Sequence, residues 1–138
     1  MSEVKTNKLT GTSTAGSILV TGEGNSTTTS LQQGLAKCWS VVDQTGTMEL
    51  LDSFNASGIS DDGTGRTTVS FTSAFSNANY SVPTSCEQGS GFNDSRVTNK
   101  DSTTSRATGS YPFYVLNVEV GNTLDVDQVN LAFFGDLA

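Results

Sequence analysis

The chain has no histidine, only two cysteines, two prolines and one tryptophan among its 138 residues. Without histidine, Ser-His-Asp triads, imidazole acid/base chemistry and His-ligated zinc are excluded. Cys38 and Cys86 lie far apart with no CxxC pairing, so they cannot build a structural zinc site. Apolar residues are scarce too, at 34%, where typical domains run about 45–50% on a count that also includes Gly but not Tyr. No apolar run approaches the roughly 20 residues of a membrane-spanning helix. The longest near the start is Ile18-Leu19-Val20, and no membrane insertion is expected. Seven basic residues, scattered from Lys5 to Arg106, face 14 acidic ones for a net charge of −7. The clustered basic footprint that nucleic-acid binding requires is missing, and the acidic balance reads as a solubility device. Met1 to Thr10 is polar and lacks the apolar segment of a signal peptide, so the expectation is folding in a cytoplasm. There Cys38 and Cys86 are expected as reduced thiols rather than a bridge. The sequons starting at Asn25, Asn55, Asn79 and Asn93 then read as turn and strand chemistry.

What is present in quantity is hydroxyl. With 19 Ser and 20 Thr, 39 of 138 residues carry one. Thr fills strand positions and Ser fills turns, which leaves few large side chains for a core. One domain's length with so little apolar volume points to help from neighbouring subunits. Met1 to Ser30 is dominated by Thr, Ser, Gly and Asn, with the single apolar island Ile18-Leu19-Val20. Such a segment is expected to be disordered in isolation or ordered against a partner, as an extended docking arm over residues 1–30. Ile18 to Thr21 suits either strand addition to another protein's sheet edge or an N-terminal strand of this protein's own sheet.

Ser30-Leu31-Gln32-Gln33 has the form of a capping box, and Leu31, Leu35 and Cys38 fall at i, i+4 and i+7. One or two helical turns are predicted, with Gly34 costing about 1 kcal/mol inside them. Three copies of this stripe around a threefold axis would form a small apolar bundle. From Lys37 onward the pattern is β. A strand around Trp39 turns at Asp43 to Thr47 into Met48 to Phe54, and a hairpin turns at Asp61-Asp62-Gly63-Thr64-Gly65, where two glycines tolerate positive φ. Thr67, Val69 and Phe71 share one face of its second strand. Ala74 to Ala78 is read as a loop and Asn79 to Ser85 as a strand. Glu87 to Gly109, almost free of large apolar residues, is a long exposed loop or a polar edge hairpin. Tyr111 to Val120 and Val126 to Phe134 are two strong central strands joined through Gly121-Asn122. The fold class that follows is all-β: an antiparallel, jelly-roll-like sandwich of about six to eight strands over residues 31–138, with a short helical turn.

The blocks Ala36-Lys37-Cys38-Trp39, Asp52-Ser53-Phe54-Asn55, Ile59-Ser60-Asp61-Asp62-Gly63-Thr64-Gly65, Val69-Ser70-Phe71-Thr72, Asn77-Ala78-Asn79-Tyr80 and Leu131-Ala132-Phe133-Phe134-Gly135-Asp136 carry a resemblance. In order and spacing they resemble a module of fibre and virion-surface proteins of tailed, often marine, bacteriophages, over about Leu35 to the C-terminus. The resemblance implies a non-enzymatic virion structural protein, commonly homotrimeric, whose partners are capsid or tail proteins and whose location is the virion. The short arm before the module points to a compact tip, a short head fibre or a capsid decoration protein.

Assembly candidates are Ile18, Leu19, Val20, Leu31, Leu35 and Trp39, with the Leu31 to Trp39 segment expected near a threefold axis. A second class is a receptor tip that binds a host-surface glycan through side chains such as Asn93, Asn99 and Tyr111 on loops, against which aromatics on the strand from Tyr111 to Tyr114 read more often as sandwich core. The third class is an enzyme built on paired carboxylates such as Glu49 with Asp52 or Asp61 with Asp62, set about 5–10 Å apart as in a glycosidase. Asp61 and Asp62 in a Gly-rich turn read instead as turn formers, and no enzyme is expected. The Asp61 turn lacks EF-hand spacing, and Asp125-Val126-Asp127 offers two ligands on one strand face. No metal and no cofactor are expected.

Overall fold

The computed structural model describes residues 3–11, 18–21, 27–87 and 95–138. It is nearly all β, with antiparallel sheets, and divides into two compact units, Met1–Leu35 and Ala36–Ala138.

In the first unit, β1 (Leu19–Thr21) pairs with β2 (Thr28–Ser30), Val20 standing opposite Thr29. A single helical turn, α1 (Leu31–Gly34), follows, and the Leu31 N–H donates to the Ile18 carbonyl at 2.8 Å. The expected capping box does not form. The Ser30 side chain makes no cap hydrogen bond, and Leu35 is already extended. The expected Leu31, Leu35, Cys38 stripe is therefore not a helix face, since Cys38 begins the next strand. Gly34 and the β-rich residues after it favour ending the turn over propagating it, because a helix this short has no propagation gain to offset its nucleation cost.

The second unit holds nine strands among the described residues: β3 (Cys38–Asp43), β4 (Glu49–Phe54), β5 (Ala56–Gly63), β6 (Arg66–Phe71), β7 (Thr84–Cys86), β8 (Arg96–Lys100), β9 (Ser110–Asn117), β10 (Asn122–Thr123) and β11 (Val129–Phe133). The number exceeds the expected six to eight because β7 and β10 are pairings of three and two residues, too short to show as sequence patterns. One sheet runs β4-β3-β11-β7. The other runs β10-β9-β6-β5, with β8 also on β9. Phe113 pairs with both Thr67 and Lys100, so β6 and β8 lie on opposite edges of β9. Asn117 pairs with both Arg96 and Asn122, which puts β10 on the same edge as β6.

Period-two alternation makes the core. Cys38, Ser40 and Val42 on β3, Thr67, Val69 and Phe71 on β6, and Tyr111, Phe113 and Val115 on β9 are all buried. Phe133 on β11 carries this core across from one sheet to the other, with ring centroids 4.9 Å from Phe71 and 5.5 Å from Tyr111. Phe75 and Tyr80 close its end, 4.5 Å apart. They pack so tightly on Gly135 that a Cβ there would lie 2.9 Å from that of Tyr80. The predicted strand over Asn79 to Ser85 is mostly absent: Ser81 makes one bridge to Phe134, and regular pairing starts at Thr84. Tyr80 is held instead as a core residue, its hydroxyl 2.9 and 3.0 Å from the carbonyls of Ala107 and Ser110. Burial pushes that hydroxyl up to about 12.

Two corners join the sheets. At Asn55, φ is +60°, and the amide side chain clips three segments, donating to the Lys37 and Ser73 carbonyls and accepting from the Ser73 N–H. The second corner corrects the hairpin expected between Tyr111 to Val120 and Val126 to Phe134. β9 turns at Gly121 into β10 of its own sheet, whereas β11 sits between β3 and β7 in the other. The chain is diverted because Leu124 and Asp125 lock onto the β5–β6 turn. The Gly65 N–H donates to Asp125 Oδ1 at 2.5 Å, and its carbonyl accepts from Val115 at 2.8 Å. Gly65 has φ +67°, and a Cβ there would lie 2.5 Å from the Leu124 backbone nitrogen, so only glycine fits.

Candidate functional site

The outward faces of the two sheets differ in chemistry. On the four-stranded sheet, Trp39 stands opposite Phe54 on one side and Ala132 on the other, and Pro83 follows Ala132 through a backbone bond of 3.1 Å. This apolar row is open: Phe54 is 55% exposed and Leu51, at the β4 bulge, 51%. Phe134 shares the face by strand parity and is half-buried. The next row, Asp52, Val41, Asn130 and Ser85, is mixed, and Asn130 Nδ2 donates to Ser85 Oγ at 3.3 Å. Beyond it Asp43 faces Glu49.

On the five-stranded sheet the centre is Tyr114, with Asn99 opposite it on β8 and Arg66 opposite it on β6. The Arg66 guanidinium lies 5.7 Å from the Tyr114 ring centroid and pairs with Asp101 just beyond β8. That ion pair crosses β9 from β6 to the residue after β8, and Pro112, although on an outward face, is fully buried. Proline is rare in a central strand because it removes a ladder donor. The Pro112 carbonyl accepts from the Asp101 N–H where β8 ends, and its nitrogen points to that same edge, so no bond to β6 is lost. Asp101 Oδ1 in turn accepts from the Thr103 N–H at 2.8 Å and hydroxyl at 2.7 Å. The Thr103 hydroxyl first, then its N–H and Arg66, outweigh desolvation and hold the Asp101 carboxyl below the ordinary range. Asp43 and Thr45 repeat the same Asp-x-Thr turn at 2.7 and 2.6 Å, again with a lowered carboxyl. On the neighbouring strands, Asp62 accepts from Thr68 at 2.6 Å and from Ser60 at 3.1 Å.

Of the carboxylates paired in the sequence, Asp52 accepts from the Ser53 N–H at 2.8 Å. Asp61 accepts the Gly63 N–H at 2.9 Å and Asp62 the two hydroxyls just named, so both serve the turn. Among the described residues no group of three or more His, Cys, Asp or Glu side chains is placed to hold a metal ion. Nor is any helix among them long and apolar enough to cross a membrane.

The residues singled out in the sequence scatter. Leu19 and Val20 are exposed on β1, Ile18 and Leu31 are half-buried beside them, and Leu35 is exposed. Trp39 lies on the outward apolar row, and Asn99 is exposed on the polar face. Asn93 lies outside the described residues. Tyr111 is not on a loop as expected. It is 4% exposed in the core against Tyr80 and Phe133, with Arg106 5.3 Å from its ring, because it shares parity with Phe113 and Val115. The aromatic that does face outward on β9 is Tyr114. Arg66, Asp101 and Tyr114 escaped the sequence reading, although strand parity from Tyr111 and the Asp-x-Thr turn were both legible signals. Comparison of the chain with protein families, with curated proteins and with solved structures found no match.

Proposed function

We propose that this chain is a non-enzymatic structural protein of a bacteriophage virion, a short fibre or capsid decoration protein. In this reading its two sheets form a jelly-roll-like sandwich, three copies assemble, and the arm ending near Ser30 docks on capsid or tail proteins. The virion reading rests on the resemblance over Leu35 to the C-terminus, and the observation that supports assembly is the open apolar row Phe54, Trp39, Ala132 and Pro83, with Leu51 beside it on an edge strand. Exposed apolar residues on an edge strand invite association. β4 is blunted by Glu49, Asp52 and its bulge, and is left apolar and open at Leu51 and Phe54. Covering Phe54 and Trp39 is worth about 1.5–3 kcal/mol per fully buried ring in each copy. The first unit adds support. A two-stranded ladder of three-residue strands is marginal alone, and Leu19 and Val20 on it are uncovered, as a docking segment requires.

Light scattering on the purified protein tests the assembly. The expected mass is three times the 14.4 kDa chain, and a monomer at micromolar concentration overturns it. Imaging virions that carry a labelled copy tests the location.

A further inference from the structure

We propose that the Asp62-Gly63 step is a modification site at which the chain forms isoaspartate on ageing, and that the Thr68 and Ser60 hydroxyls set how fast it does so. The inference stands on the β5–β6 turn and does not depend on the virion reading.

Asp62-Gly63 is the single Asp-Gly step in the sequence, and there is no Asn-Gly step. Glycine hinders attack by its own nitrogen least, because it carries no Cβ beside it. The step lies where β5 is irregular: Asp61 pairs with Thr67 and Gly63 with Arg66, and Asp62 falls at the register shift between them. Asp61, Asp62, Gly63 and Thr64 are all exposed, so water reaches the reacting groups. In the reaction the Gly63 nitrogen bonds to Asp62 Cγ. One carboxyl oxygen leaves as water, carrying the amide proton and a proton taken up by the carboxylate. Water then opens the cyclic imide at either carbonyl. Opening at Cγ restores aspartate; opening at the original main-chain carbonyl leaves the backbone running through Cβ and Cγ, which is isoaspartate.

The fold holds the two reacting groups apart. The Gly63 N–H donates to Asp61 Oδ1 at 2.9 Å. Both oxygens of Asp62 are engaged, Oδ2 by the Thr68 hydroxyl at 2.6 Å and Oδ1 by the Ser60 hydroxyl at 3.1 Å. Cγ turns toward the Gly63 nitrogen only after these bonds break, and the shorter one, to the neighbouring strand, is the main lock. What lies just beyond gives the modification its effect. Isoaspartate lengthens the backbone by a methylene and withdraws the carboxylate from Thr68 and Ser60. Gly65 cannot take up that length, since the Leu124 backbone fills the space a Cβ would need. Its N–H holds Asp125 and its carbonyl holds Val115, so ageing at Asp62 loosens the corner that leads the chain from one sheet to the other.

The test incubates the full chain in neutral buffer and locates isoaspartate by electron-transfer fragmentation of its peptides. The parent is expected to accumulate it at Asp62 ahead of every other Asp or Asn. Thr68→Val, which keeps the shape and removes the hydroxyl, is expected to accumulate it about fivefold faster, the worth of one hydrogen bond. Ser60→Ala is expected to do so by a smaller factor. Leu131→Ala, which weakens the core from the opposite sheet, is expected to leave the rate at the parent's value. In the aged parent the Gly65 and Val115 amide signals are expected to move in two-dimensional NMR. The proposal is overturned if Thr68→Val ages no faster than the parent, if Leu131→Ala speeds the reaction as much as Thr68→Val, if another residue converts ahead of Asp62, or if the Gly65 and Val115 signals of the modified protein stay in place.

Discussion

The two sheets share one core, yet their outward faces handle their aromatic residues in opposite ways. On the four-stranded sheet Trp39 and Phe54 sit side by side with only Ala132 and Pro83 continuing the row, so their rings meet water. On the five-stranded sheet Tyr114 is flanked by Asn99 and by an Arg66 that is itself tied to Asp101. The first face gains by being covered, whereas the second already holds a paired guanidinium over its central ring. Burial of apolar area drives association without direction, whereas a hydrogen-bonded rim imposes geometry.

The largest way to break this comparison is to remove what both faces rest on. Phe133→Ala deletes the ring against which Phe71, Phe75, Tyr80 and Tyr111 all pack. A loss of about 3–5 kcal/mol in urea unfolding is expected. Gly65→Ala is expected to lose more than about 2 kcal/mol, from positive φ and from a clash with Leu124. Both should abolish assembly, which light scattering on the purified variants checks.

Separating the faces is the next test. Trp39→Ser with Phe54→Ser is expected to shift trimer to monomer in sedimentation at micromolar concentration. The stability of the single β domain should change by less than about 1 kcal/mol, since the change falls at an open surface. A double variant that stays trimeric would show that the apolar row is not the interface.

Asp101→Asn sharpens the other face. Asn keeps the turn to Thr103 but loses the charge opposite Arg66, and with Arg66 one-third exposed a loss of about 1–2 kcal/mol at neutral pH is expected. The sign with pH follows from the lowered carboxyl. Its stabilisation is complete above the ordinary value of 3.8 and is lost as pH falls below it, toward the folded value. Acid titration of stability should therefore be shallower in Asp101→Asn than in the parent, with Asp43 leaving a residual slope of the same sign.

The smallest effect is chemical. The Cys38 thiol, fully buried and pushed up to about 12 by desolvation, is expected to resist alkylation in the native protein, while the half-buried Cys86 reacts first. A thiol titration with and without denaturant counts one and two reactive groups respectively. Two fast thiols in the native state would show that the β3 core position is open.

Local signals carried much of the fold. The strand at Trp39, the Gly63 and Gly65 turn, the alternation of Thr67, Val69 and Phe71, and the strength of Tyr111 to Val115 and Val129 to Phe133 all rest on neighbours within a few residues. What was misread lay where a distant partner decided. The single helical turn at Leu31 forms as expected, but its capping box and its Leu31, Leu35, Cys38 stripe do not, because Leu35 is extended and Cys38 is taken by β3. Asn79 to Ser85 gave up its strand because Tyr80 is claimed by carbonyls at Ala107 and Ser110. For Tyr111 the core reading holds over the receptor-loop one, since it shares parity with Phe113 and Val115. The polar face was hidden because Arg66, Asn99, Asp101 and Tyr114 come from three separate strands and one turn.

By itself the sequence determined the class of the protein: an antiparallel β chain without histidine chemistry, thin in apolar volume and acidic overall. These properties depend on composition and on a two-residue period, which any short window contains. Only the tertiary structure decided which strands share a sheet, that Asn55 and Leu124 turn the chain from one sheet to the other, and that Tyr114 and Trp39 end on opposite outward faces. Those outcomes depend on registers between residues far apart in the chain, as between Cys38 and Phe133, and no local pattern encodes which of several possible pairings satisfies every backbone donor at once.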